Sequence, residues 1–229
     1  MSHSIIPQLI KKDFDISRAM IMRFSVFSLA SIVLVSVLIG RIPDVVLLNI
    51  ALILLIGPVA TCGLVLVMKS NVFEKEKSTQ PFIMSLPVTV REFTIAKVLV
   101  NLMVFGVQWL VVTIVAFYFC FGMDLLPLGA APFLTMLMLG ILVAYTCILS
   151  ISLLFQSLGP TVSSIVGFQL LTAIYLWIIV FLDPIGDHIY GNVSVWNTTA
   201  ISIIAIQILV VVAVIALTMF LQGKKRDFV

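Results

Sequence analysis

The sequence predicts an all-α integral membrane protein. It has six transmembrane helices, an N-terminal amphipathic interfacial helix, and a short helix in the loop between the second and third spans. Three observations carry this reading. Of 229 residues, 62% are hydrophobic and 10% are charged, where an average soluble domain has about 25% charged residues. Six apolar runs are long enough to cross a bilayer, whose hydrocarbon core of about 30 Å takes about 20 helical residues. Almost all the basic residues fall on one side of those runs.

The runs cover about 21–39, 47–68, 97–119, 132–155, 161–182 and 200–221. Backbone polar groups find no water in hydrocarbon, so the runs must be helices. Only Gln156–Pro160 separates the fourth from the fifth, and Gly159-Pro160 is the expected break, because proline lacks an N–H and restricts the residue before it. The chain opens on a polar, basic segment followed by a full-length span, so no cleavable signal is expected. Residues 1–229 read as a single transmembrane domain. Cys62, Cys120 and Cys147 lie in or beside apolar runs without metal-site spacing and read as small packing residues.

Orientation follows from charge. Lys11, Lys12, Arg18 and Arg23 precede the first span. Lys69, Lys75, Lys77, Arg91 and Lys97 surround the loop after the second. Lys224, Lys225 and Arg226 end the chain. Of the 13 Lys and Arg, only Arg41 falls on the other side. The positive side is expected to be cytoplasmic, which puts both termini there and the protein in the inner (cytoplasmic) membrane. The net charge of +3 is then a topology signal and implies no nucleic-acid partner.

Two polar segments face that side. In residues 5–18, Ile6, Leu9, Ile10 and Phe14 recur at helical spacing, with Lys11, Asp15 and Arg18 on the other face and Lys12 adding charge. This predicts a helix lying along the membrane surface; the plainer alternative is a basic lead-in to the first span. The second segment, FEKEKSTQPFIMSLPVTVREF, spans residues 73–93. Pro81 suits the start of a short helix, Phe82–Leu86, which Pro87 ends. Thr89-Val90-Arg91-Glu92 has the capping-box pattern and should start the helix entering the third span. The short helix presents Phe82, Ile83, Met84 and Leu86 near water, either to dock a partner or to rest on the membrane surface.

No Asp, Glu, Lys, Arg or His lies in the middle of any expected span. Such charges usually mark proton relays and ion sites, so an ion-driven transporter is disfavoured. His3 and His188 lie on opposite sides and cannot share a metal. No HExxH motif and no GxxxxGK[ST] phosphate loop occurs, so the chain is not expected to be an enzyme, to bind a metal or to hydrolyse ATP by that route. Gln108, Gln169 and Gln207 read first as interhelical hydrogen-bond partners. Gln108, Ser163, Ser164 and Gln169 are also assigned to a pathway or dimer interface. The outer stretch from Leu182 to Thr199 is too long for a simple turn.

These features together resemble the membrane subunit of an ABC-2 type exporter. The topology resemblance covers nearly the whole chain. The motif resemblance covers about 25 residues, FEKEKSTQPFIMSLPVTVREFTIAK. It has acidic residues after the second span (Glu74, Glu76), a short apolar stretch ending in Ser85-Leu86-Pro87-Val88, then Glu92 and Lys97. Leu9–Phe14, LIKKDF, is similar to the opening of short prokaryotic members. The resemblance implies that the loop is a coupling helix where an ATPase docks. Glu74, Glu76, Phe82, Ile83, Met84, Leu86, Pro87 and Glu92 would carry the coupling. It also implies two copies of an ABC ATPase subunit holding ATP and Mg, a second permease copy or a paralogue, and no cofactor on this chain. The expected function is a permease subunit forming the path for an apolar or amphipathic substrate: a peptide, an antibiotic or a lipid. The alternative is a non-transport scaffold, sensor or assembly factor that recruits a partner through residues 69–96. A membrane enzyme would have to use Asp183, Asp187 and His188, which read first as a solvated loop.

Overall fold

In the computed structural model, residues 5–76 and 89–224 are described, without the side chains of Asp44, Val45, Lys75 and Glu76. These residues form helices and connecting turns, with no strand among them. Six helices are long and apolar enough to cross a membrane, so the chain is a multi-pass α-helical membrane protein. They are α1 (Ile6–Leu38), α2 (Asp44–Val67), α3 (Val90–Phe117), α4 (Ala131–Phe155), α5 (Leu158–Val180) and α6 (Thr198–Lys224).

The helices are longer than the apolar runs. The N-terminal segment is helical as expected, and it is continuous with the first span: α1 runs unbroken from Ile6 to Leu38. No Gly or Pro interrupts it after Pro7, and adding residues to an existing helix is inexpensive once it is nucleated. Its inward face also differs from the one the hydrophobic spacing marks. Leu9, Asp13 and Ser17 are buried, whereas Phe14 is exposed.

α2 likewise runs on past its apolar stretch. A π-helical turn, Met68–Val72, follows it, then one further α turn, Phe73–Glu76. A second π turn, Tyr118–Gly122, extends α3 at the opposite end of the bundle. At the start of α3 the expected capping box is present: Thr89 Oγ1 accepts from the Glu92 amide at 3.2 Å, and the Glu92 carboxylate accepts from the Thr89 amide at 3.0 Å. The break between α4 and α5 falls earlier than Gly159-Pro160. Gln156 takes a left-handed conformation (φ 46°) and ends α4. Pro160 instead sits in the first turn of α5, where an amide donor has no helical partner to lose.

α4 is the hub. It packs against α6, α5, α3 and α2, while α1, α2 and α3 pack against one another. The central core joins Val35, Leu55, Val59, Phe105, Leu137, Tyr145 and Leu149. Phe105 and Tyr145 stack with ring centres 3.6 Å apart. They lie so close to Gly63 that a Cβ there would meet Phe105 at 2.6 Å and Tyr145 at 2.7 Å. Large apolar side chains on α1, α3, α5 and α6 face outward, among them Phe27, Val107, Leu170 and Leu209, as lipid-facing surfaces require. Cys62 and Cys120 are buried, Cys147 is half-buried, and all three are free.

The long outer connection is folded. Asp183–Gly186 makes one helical turn, and the Gly129 amide donates to the Gly191 carbonyl at 2.8 Å. A Cβ at Gly129 would fall 2.0 Å from the His188 carbonyl oxygen, so only glycine admits this approach. Asn197 caps α6 by accepting from the Ala200 amide at 2.8 Å.

Candidate functional site

The most distinctive polar feature is a buried ionic knot at the end of the bundle that carries most of the basic residues. Its centre is Lys97, in the second turn of α3 and 2% exposed. Its Nζ lies 2.8 Å from Asp13 Oδ2 and 2.9 Å from the Ser70 carbonyl oxygen. It also pairs with Glu74 Oε2. Three acceptors match the three N–H donors of an ammonium. The Phe93 ring lies under the same cation at 5.3 Å. Lys12 closes the ring of charges, 2.6 Å from Glu74 Oε1 and 3.3 Å from Asp13 Oδ1. Two cations and two carboxylates cancel, which is what an interior with few waters demands.

The elements explain the meeting. Asp13 lies on the inward stripe of α1 with Leu9 and Ser17, four residues apart on either side. Ser70 belongs to the π turn that ends α2, and Glu74 follows one turn later. π turns are rare and appear often at functional sites. Lys97 and Asn101 are one helical turn apart on α3. Burial by itself would raise the Glu74 carboxyl. The Lys97 charge and the hydrogen bonds from Lys12 and Lys97 outweigh it and hold that group below its ordinary range.

The polar chain continues inward. Asn101 Nδ2 donates to Ser70 Oγ at 3.2 Å, Ser70 Oγ donates to Asn71 Oδ1 at 3.1 Å, and Asn71 Nδ2 donates to Ser152 Oγ of α4 at 3.3 Å. Tyr145 Oη donates to the Asn101 carbonyl at 3.2 Å. Gln222 of α6 reaches the neighbouring Leu153 carbonyl at 2.6 Å. Lys69 adds a bond to the Ile16 carbonyl of α1 at 2.7 Å. One end of the bundle is thus cross-tied through side chains of α1, α2, α3, α4 and α6.

Of the residues assigned to coupling, Glu74 belongs to the knot and Glu92 to the capping box. Glu76 ends the extension of α2. Phe82, Ile83, Met84, Leu86 and Pro87 lie outside the described residues. Of the four assigned to an interfacial helix, Lys12 is drawn into the knot. Lys11, Phe14 and Arg18 remain exposed. The residues assigned to a pathway or interface do not gather in one place. Gln108 donates to Ser25 Oγ of α1 at 3.1 Å. Ser164 is buried and donates to the Thr161 carbonyl of its own helix at 2.7 Å. Ser163 is exposed on α5, and Gln169 lines a small cavity of about 70 Å³ with Ile56, Ala60 and Tyr145. Gln207 makes the expected interhelical bonds, to the Met136 carbonyl at 2.9 Å and Tyr175 Oη at 2.7 Å. Asp183, Asp187 and His188 are exposed, and no group of three His, Cys, Asp or Glu among the described residues could hold a metal.

The sequence reading missed Asp13, Ser70, Asn71, Asn101 and Ser152, and it counted Lys97 as a loop charge. A signal was present: Leu9-Asp13-Ser17 and Lys97-Asn101 repeat at a four-residue helical interval, so each set shares one face.

No protein-family model, no curated protein and no solved structure matches the chain. The class that the fold defines is therefore the multi-pass helical membrane protein, and the functional reading rests on the residues themselves.

Proposed function

We propose that the chain is the permease subunit of an ATP-driven exporter of the ABC-2 type, working in the inner membrane with the basic end of the bundle in the cytoplasm. The observation that carries this reading is the ionic knot. It fixes the helical extension of α2, from which residues 77–88 continue, to the foot of α1 and the first turns of α3. A push on that loop reaches three spans through Glu74, Lys97 and Asp13 rather than dissipating in a hinge. Interiors switch between discrete packings rather than deforming smoothly, so a tied foot suits the transmission of a rigid-body movement. Two ATPase copies carrying ATP and Mg would supply that movement from outside this chain. A second permease copy or a paralogue would complete the path. The lipid-facing walls of the bundle favour an apolar or amphipathic cargo such as a peptide, an antibiotic or a lipid.

The test is affinity purification of the chain from its native membranes after crosslinking, followed by mass spectrometry. A stoichiometric soluble partner carrying a P-loop is expected, with crosslinks to residues 73–89. Recovery without any ATPase would reject the reading. It would favour a scaffold or sensor that uses the same tied foot to report binding of another partner.

A further inference from the structure

A second feature lies outside the knot. Residues of α1 and α3 line a cavity of about 570 Å³, open on one side, whose lining is almost wholly apolar. On α1 the row runs through Lys11, Phe14 and Ser25; on α3 it runs through Met103, Val107 and Gln108. Pro7 and Ser25 lie 18 positions apart on the α1 wall, about 27 Å at the helical rise. The trench is polar only at its ends. Gln108 and Ser25 close the inner end on each other, and Lys11 stands at the mouth beside the charged foot. Arg18 falls in the same helical row and is exposed.

We infer that this trench binds one anionic phospholipid of the adjoining leaflet, its phosphate at Lys11 and Arg18 and one acyl chain laid along Phe14, Met103 and Val107. Depth selects the occupant. Met103 and Val107 are more than half exposed, and Val107 lies 17 residues into α3, about 26 Å along the axis. At that depth the bilayer supplies hydrocarbon chains, not polar polypeptide. Charge selects the headgroup. Lys11 and Arg18 have no ion-pair partner among the described residues; with the exposed Asp15 of the same face counted, the mouth is still net positive, and a phosphodiester without a compensating ammonium fits best. The concave shape suits a single chain better than the convex face of a second helical bundle.

The experiment is native mass spectrometry of the full-length protein, titrated with phosphatidylglycerol or phosphatidylcholine bearing the same chains. Preferential retention of phosphatidylglycerol is expected. Lys11→Gln should weaken that lipid about fivefold and leave phosphatidylcholine unchanged. Val107→Trp, on an exposed wall, should weaken both while the helical circular dichroism stays constant. Equal retention of the two lipids, or indifference to both substitutions, would overturn the inference. So would competition by glycerol phosphate at the lipid's own concentration, which would mark a site for free anions. A disulfide-linked dimer of Val107→Cys would give the trench to a second copy instead. None of these outcomes depends on an ATPase partner.

Discussion

Lys97 Nζ sits 2.8 Å from Asp13 Oδ2, so a residue of the third span and a residue of the N-terminal helix form an ion pair inside the bundle. Such a pair is seldom a net source of stability, because desolvating two charges offsets their attraction. Its value lies in specificity. α1 cannot slide or rotate against α3 without leaving a buried charge alone, and Glu74 and Lys12 extend that constraint to the end of α2.

Removing the cation should therefore be costly. Lys97→Met keeps the volume but leaves two carboxylates crowded with Lys12 as the one cation paired to them among the described residues. A loss of about 3–5 kcal/mol is expected, read as a lower thermal midpoint in mild detergent. The double substitution Lys97→Met with Asp13→Asn should recover part of it. An unchanged midpoint in the single variant would show that the knot does not hold the fold.

The knot should also respond to acid. Because the folded-state carboxyl of Glu74 is held below its ordinary value, its contribution is present above the ordinary carboxylate range and is lost as pH falls through the folded value. Protection factors of residues 68–76, taken relative to the intrinsic exchange rate at each pH, should be high at pH 7 and fall once pH drops below the ordinary carboxylate range. Glu74→Gln should flatten that dependence. A wild-type profile with no more pH dependence than that of Glu74→Gln would contradict the ion pairing.

Thr89→Ala removes the hydroxyl that accepts from the Glu92 amide and should fray the start of α3 without disturbing Lys97 two turns on. Amide exchange at residues 90–93 should quicken several-fold while that at 97–101 stays slow. Faster exchange through both stretches would mean that the cap supports the knot as well.

Gln207→Leu deletes the bonds to the Met136 carbonyl and Tyr175 Oη. Interhelical bonds of this kind contribute about 0.6 to 1.7 kcal/mol each in membranes, so a modest fall in thermal midpoint is expected. Tyr175→Phe should cost less than Gln207→Leu, since the Met136 bond survives it. The reverse order would place the main role on the tyrosine hydroxyl.

What could be read from the chain follows a physical divide. Periodic hydropathy, charge segregation and capping are properties of neighbouring residues. Six spans, the Thr89–Glu92 box and the Gln207 contact were accordingly legible in the sequence. The limits of α1 were not, because polar Lys11 to Arg18 ended the apolar signal while nothing ended the helix. The fourth run ends at 155 as expected, but the turn itself reads at Gly159-Pro160 instead of Gln156 for a similar reason. A proline reads as an interruption, yet it is harmless in the first turn of a helix, and the left-handed Gln156 carries no strong sequence mark.

The knot belongs to the tertiary structure alone. Lys12 and Glu74 are 62 positions apart, and Asn71 and Ser152 are 81 apart. A four-residue repeat can show that Asp13 and Ser17 share a face; it cannot show which face another helix will cover. The sequence by itself determined that this chain must live in a bilayer and which of its ends is basic, because those follow from composition and local order. Only packing decided that Asp13 and Lys97 would be withdrawn from water, with the half-buried Lys12 and Glu74 closing the knot that binds α1, α2 and α3 together, because the stability of a buried ion depends on partners that only the folded chain brings within reach.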